Sequence, residues 1–206
     1  MPTISSSSFL HALHLMPPQK TPLKIFTGWR MLWEVVKVVA ISLAIIIPVR
    51  YFLLQPFYVK GASMEPNYED HEYLLIDELS FRLREPQRGE VVVFKYPNDP
   101  SQYFIKRVIG LPGEAVDVRE DGVYVNGKKV DESAYLSPAL AVGGTASVVV
   151  PAGSYFLMGD NRPASLDSRI FGPVKRSFIV GKTWIRAWPF NRLSHFSAPG
   201  YSVTTP

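Results

Sequence analysis

The chain contains no cysteine, which removes disulfides, thiolate metal sites and a cysteine nucleophile together and leaves the fold to stand on its core alone. Histidine is nearly as scarce. His11, His14, His71 and His195 are the four present. Beyond the first pair they show no ligand spacing, and none has the Asp or Ser context of a catalytic triad. No metal or organic cofactor is expected. Also missing is any run of lysine or arginine interleaved with aromatics. The 22 basic residues barely exceed the 18 acidic ones and several flank one hydrophobic segment, a pattern that argues against nucleic-acid binding. After residue 57 no useful stretch repeats apolar residues at the helical period, and no internal repeat is visible.

What the chain does have is one long apolar run. From Val38 to Val49 every residue is apolar or small except Ser42 and Pro48, and the stretch from Trp33 to Leu54 has about the 20 residues that a bilayer needs. Trp29, Trp33, Tyr51, Phe52, Phe57 and Tyr58 suit its two interfaces, and Glu34, Lys37 and Arg50 can snorkel. Lys20, Lys24, Arg30 and Lys37 precede the run, whereas Arg50 and Lys60 follow it closely. The positive-inside bias then places the N-terminus in the cytoplasm and the bulk of the chain across the membrane. A cleavable leader would show a small-x-small site soon after the run. Arg50-Tyr51-Phe52-Leu53-Leu54-Gln55 follows instead, so the segment reads as an uncleaved anchor.

Beyond it lie short β-rich runs bounded by Gly, Pro, Asn and Asp. Strands are expected over Tyr73 to Ile76, Glu90 to Tyr96, Phe104 to Gly110, Ala115 to Arg119, Gly122 to Val125, Ser147 to Val150, Ser154 to Met158 and Ile179 to Ala187. Asp121-Gly122 and Asn126-Gly127 suit tight turns. Asp131 to Thr145 reads as a loop. The expected organisation is a flexible cytoplasmic tail over 1–28, a transmembrane anchor over 29–56, a mainly antiparallel β domain over 57–190 with a small β-ribbon insertion at about 115–152, and a C-terminal tail over 191–206.

Ser63 stands in Ser63-Met64-Glu65-Pro66, just after the anchor. A serine nucleophile needs a base within hydrogen-bond reach, and without a suitable histidine lysine is the substitute. To act near neutrality a lysine must lose roughly three pKa units, about 4 kcal/mol of bias towards the neutral amine, and desolvation is the main route. If Phe104 to Gly110 is a strand, Lys106 shares an apolar face with Phe104 and Val108 while Arg107 points the other way and can stay solvated. Taken singly, Lys106 reads as a surface lysine, and Ser63-Met64-Glu65-Pro66 and Gly159-Asp160-Asn161-Arg162 as turns. Their order after the anchor is what joins them.

Three motifs, Ser63-Met64-Glu65-Pro66, Lys106-Arg107-Val108-Ile109-Gly110 and the block Gly159-Asp160-Asn161-Arg162-Pro163-Ala164-Ser165-Leu166-Asp167-Ser168-Arg169, together resemble the type I signal peptidase family, the leader peptidases with a Ser-Lys dyad. The resemblance extends over roughly 35–185. It implies an antiparallel β catalytic domain of the signal-peptidase and repressor-protease type behind one transmembrane helix. It also implies Ser63 as nucleophile, Lys106 as general base, Ser165 as a hydrogen-bond partner of the lysine amine, and Asp160, Asp167 and Arg169 as structural supports through ion pairs. By the same resemblance Phe57, Val59, Met64 and Ile105 wall shallow pockets for small residues of an Ala-x-Ala site, although strict alternation puts Ile105 and Lys106 on opposite strand faces. Some family members add a hydroxyl two residues before the nucleophile, where this chain has Gly61.

The implied partners are preprotein signal peptides, the lipid bilayer and the export machinery, with no nucleic acid and a monomer as the default state. The implied location is the outer face of the cytoplasmic membrane. A self-cleaving repressor-type protease would need an N-terminal DNA-binding domain, for which residues 1 to 30 are too short and irregular. A catalytically inactive membrane-anchored β domain that binds exported proteins would have no need of Ser63, Lys106 and Ser165 together.

Overall fold

The computed structural model describes residues 28–48, 54–136 and 143–197. Most of the expected tail, the anchor residues 49–53, the middle of the loop at 137–142 and the last residues from 198 lie outside the described residues. The chain divides into two units, 1–44 and 45–206.

Helix α1, Gly28–Pro48, has 21 residues. Arg30, Glu34 and Lys37 fall in its first half, with Lys37 paired to Glu34 at 2.8 Å. Among the described residues no helix is long and apolar enough to cross a membrane. The C-terminal end of the expected anchor, at 54–56, belongs to a strand instead. Leu54–Tyr58 forms β1 and pairs antiparallel with β2, Tyr73–Asp77; apolar residues that suit a bilayer suit a half-buried strand equally well.

The remainder is antiparallel β, as the sequence leads one to expect. A further ten strands follow: β3 Val91–Tyr96, β4 Asp99–Gly110, β5 Ala115–Arg119, β6 Gly122–Val125, β7 Lys128–Lys129, β8 Ala146–Val149, β9 Ser154–Met158, β10 Val174–Lys175, β11 Ile179–Trp188 and β12 Ser194–His195. The larger sheet runs β1-β2-β11-β3-β4-β9-β10 with β12 beside β11, and the smaller runs β7-β6-β5-β8. Among the described residues two short α-helices interrupt them, α2 at Ser80–Leu83 and α3 at Ser168–Phe171. The β6–β7 hairpin closes through Asn126 and Gly127 at φ 51° and 76°, the left-handed pair that a two-residue turn demands and Asn-Gly supplies. Part of the expected C-terminal tail is ordered: Ser194 and His195 pair with Arg186 and Ile185, and Phe196 stacks on Tyr68 with ring centroids 4.5 Å apart.

The larger sheet is covered on both faces, and period-2 alternation sorts its side chains. Val92 and Phe94 of β3, Val108 of β4 and Tyr155 and Leu157 of β9 bury into one cluster with Phe81 and Val174. Their neighbours point the other way. Val91 and Val93 join Val59, Met64, Tyr68, Leu74 and Ile76, while Ile109, Phe156 and Met158 meet the valines of the smaller sheet. β4 is the strand that positions the chemistry. It pairs with β3 from Asp99 to Arg107 but with β9 only from Arg107 onward. Among the described residues the second edge of β4 before Arg107 is therefore unpaired.

Candidate active site

Lys106 sits in β4 opposite Val92, so it shares the face of Phe104 and Val108 that alternation assigned to it. Only 3% of it is exposed. Its amine lies 2.7 Å from Ser63 Oγ, donates to Ile105 O at 2.9 Å and stands 5.5 Å from the Phe104 ring centroid. Burial pushes the amine from 10.5 down to about 8; Asp167 and Asp160 act to raise it, and Arg169 to lower it. Desolvation dominates because an ammonium loses more hydration on burial than a neutral amine does. A lysine beside a serine hydroxyl with this titration can accept the hydroxyl proton at mildly alkaline pH.

Ser63 follows β1 in a tight loop fixed at several points. Gly61 N donates to Asp70 Oδ1 at 2.9 Å, Glu65 N to Ala62 O at 3.2 Å and Tyr68 N to Met64 O at 3.0 Å. Asn161 holds the loop from the other side, its backbone N donating to Ser63 O at 3.0 Å and its Nδ2 to Ala62 O at 3.0 Å. Gly61 adopts φ +92°, a conformation that favours glycine.

The block after β9 supplies the support. Met158 pairs with Arg107, so the chain leaves the sheet at Gly159 beside β4. Asp167 accepts from Gly159 N at 3.0 Å and takes Arg169 in a two-point pair, Nε to Oδ1 at 2.8 Å and the second nitrogen to Oδ2 at 2.7 Å. Burial acts to raise the Asp167 carboxyl, but Arg169 outweighs it and holds the group below its ordinary value. Asp160 receives Arg107 in the same forked manner, at 2.8 and 2.5 Å.

Two expectations change here. Arg107 does point away from Lys106, yet it is buried, 5% exposed, because that face of β4 is covered by Asp160 and by Tyr135, whose ring centre is 4.1 Å away. Burial acts to lower the guanidinium, but Asp160 outweighs it and holds Arg107 above its ordinary value. Ser165 is buried, but among the described residues the expected bond to the Lys106 amine is not made; the amine is engaged by Ser63 and Ile105. Ser165 presses instead on Gly159, where an added Cβ would fall 2.2 Å from Ser165 Oγ and 2.5 Å from Ser63 O. Gly159→Ala is thus expected to cost about 1–3 kcal/mol in urea unfolding, as overpacking does, and to lower cleavage more than the stability loss accounts for. Unchanged activity would show that the turn yields without moving Ser63.

A cleft of about 470 Å³ opens onto the pair, lined by the 57–63 segment, by Gln102 to Lys106, and by Leu74, Val93, Ala164 and Leu166. Phe57, Val59 and Ile105 all border it. Met64 does not: at 1% exposure it is core beneath the loop, because the turn that presents Ser63 outward turns the next side chain inward. Ile105 and Lys106 border the same cleft from opposite strand faces because the unpaired edge of β4 faces it. Among the described residues no group of three or more metal-ligating side chains converges.

Sequence reasoning left several members of the site unassigned. Asn161 lay inside a quoted motif without a role. Arg162 is 2% exposed and binds Gly159 O at 3.0 Å and Glu132 at 2.5 Å. Asn67 donates to Asp160 Oδ2 at 2.9 Å and Tyr135 O at 2.7 Å. Position within the block was a signal for Arg162; nothing local marks Glu132 or Asn67.

The family model described as signal peptidase, peptidase S26, matches residues 32–188. A probable signal peptidase I-2 of Synechocystis sp. is 39% identical over 166 residues, covering 78% of this chain and 75% of its own. Signal peptidase IB of Staphylococcus aureus is 37% identical over 174 residues, covering 76% and 90%. Among solved structures, a signal peptidase I from Enterococcus faecalis matches at 36% identity with a TM-score of 0.42, covering 48% of this chain and 97% of that one.

Proposed function

From the premise that the chain belongs to the signal peptidase family, peptidase S26, we propose that it removes N-terminal signal peptides from exported preproteins as a serine endopeptidase with a Ser63–Lys106 dyad. The observation that carries this reading is the 2.7 Å contact between Ser63 Oγ and a lysine amine brought down to about 8 by burial.

Neutral Lys106 takes the Ser63 proton as the oxygen attacks the scissile carbonyl, and negative charge moves to the carbonyl oxygen. The Ser63 amide is the donor for that oxyanion. As the tetrahedral species collapses, the lysine ammonium gives its proton to the leaving amine and the leader remains esterified to Ser63. Water then enters, Lys106 takes its proton, and the ester is hydrolysed with Ser63 as the leaving group. Asp160, Asp167 and Arg169 hold the turn that supports the dyad. Ser165 keeps that turn packed against the nucleophile loop.

The substrate is read as an extended strand added at the unpaired edge of β4 before Arg107, with Phe57, Val59 and Ile105 as walls that admit small side chains. The anchor reading is kept as part of the proposal. α1 carries exposed apolar side chains from Met31 to Ile47, which suits a non-aqueous surrounding; in this reading it anchors a catalytic domain on the outer face of the cytoplasmic membrane.

The test is cleavage of a precursor bearing an Ala-x-Ala site by detergent-solubilised protein between pH 7 and 10, with sequencing of the new N-terminus. Wild type is expected to cut after the second small residue, and Ser63→Ala and Lys106→Ala are expected not to. Equal cutting by Ser63→Ala would overturn the assignment of the nucleophile.

A further inference from the structure

Asn161 reaches two consecutive carbonyls of the nucleophile loop, Ser63 O through its backbone and Ala62 O through its side chain, each at 3.0 Å. The second of these has a consequence for Ser63 itself. The only cis peptides among the described residues precede Pro66 and Pro189, so the group linking Ala62 to Ser63 is a planar trans unit in which C=O and N–H point in opposite directions. Whatever fixes the Ala62 oxygen also fixes the direction of the Ser63 N–H. That N–H has no backbone acceptor among the described residues, and Gly61 offers no hydroxyl to share its task.

Asn161 is itself held on a rigid base. Asp160 before it is tied to Arg107 at two points, Ala164 N bonds to its carbonyl at 3.1 Å, and the bare Cα of Gly159 lets the turn approach Ser63 O. We propose that Asn161 is a positioning residue whose side-chain amide aims the Ser63 N–H at the oxyanion formed during peptide cleavage. The inference rests on the peptidase reading and adds to it the means by which a hole lacking a hydroxyl is kept in register.

An interaction that matters through an oxyanion donor is realised in the transition state and not in the bound substrate, so its loss lowers kcat and leaves KM alone. Asn161→Leu keeps the shape of the side chain without a donor or a charge, and Asn161→Ala serves as a second variant should the leucine perturb folding. Both retain the backbone bond to Ser63 O. In detergent, on a precursor with an Ala-x-Ala site, each is expected to lose about 100-fold in kcat, near the effect of removing one oxyanion donor. KM and the acid-side limb near 8 are expected to stay in place, because the side chain does not bond to Lys106. Full kcat in either folded variant would overturn the proposal. So would a loss appearing mainly in KM or as a displaced pH limb, which would make Asn161 a loop support only. If wild type itself cut no precursor, the peptidase reading would fall and this inference with it, an outcome separable from cutting that is indifferent to Asn161.

Discussion

Lys106→Met is expected to lose at least about 10⁴-fold in kcat, the scale seen when a member of a catalytic unit is deleted, and yet to melt at a higher temperature than wild type at pH 7. The two effects have one cause. In the folded protein burial brings the amine to about 8 from an ordinary value of 10.5, so between those values the unfolded chain holds more protons than the folded one and stability rises with pH. Below about 8 the folded state carries the full burden of a buried ammonium, on the order of 3 kcal/mol. Methionine removes that burden, and its advantage should fade as pH climbs towards 10.5. Wild-type kcat is expected to rise about tenfold per pH unit below 8 and level off above it, since only the neutral amine can accept a proton. Lys106→Arg would not rescue the reaction, because a guanidinium stays charged throughout that range. A methionine variant less stable than wild type at pH 7, together with a wild-type rate that goes on rising past 8 towards 10.5, would show that the amine is well solvated.

Asp160→Ala is the substitution with the largest expected cost in stability. Asp160 and Arg107 are both buried and joined by two hydrogen bonds. Removing one partner leaves the other charge in a poorly polar setting, which costs about 3–5 kcal/mol in comparable buried pairs. Urea unfolding should show that loss as a lower midpoint with little change in slope. Adding Arg107→Met should recover much of it, since the stranded charge is then gone. Asp160 also acts to raise the Lys106 amine, so the limb of the rate profile should move to lower pH in the single variant. A midpoint shift of less than about 1 kcal/mol would mean that water reaches Arg107 and the pair behaves like a surface ion pair.

The sequence carried the strands well where period and turns coincide. β5, β6 and β9 have the expected bounds, since each alternates cleanly or runs wholly apolar between turn residues. β4 begins at Asp99, five residues before Phe104, because Asp99 to Tyr103 is held by pairing with β3 and not by hydrophobic pattern. Leu54 to Pro56 of β1 read as the end of a membrane segment, since a few residues with Leu and flanking aromatics look alike in either setting. The contact between Ser63 and Lys106 was legible from motif order, and the apolar face of Lys106 from alternation. The burial of Arg107 was not, because alternation says which way a side chain points and nothing about what covers it. Nor was the absence of a Ser165–Lys106 bond. A motif names residues, while the choice between two nearby acceptors depends on distances of a few tenths of an ångström.

The three parts of the site are far apart along the chain. Lys106 and Ser63 are separated by 43 positions, and Asn161 and the Ala62 carbonyl by 99. No local segment contains a working pair, so loop-closure entropy must be overcome before any of the chemistry exists. In the unfolded chain Lys106 is an ordinary solvated ammonium and Ser63 an ordinary alcohol. A newly made or partly unfolded copy is therefore inert towards its neighbours. Its proteolytic power switches on only with completion of the native topology.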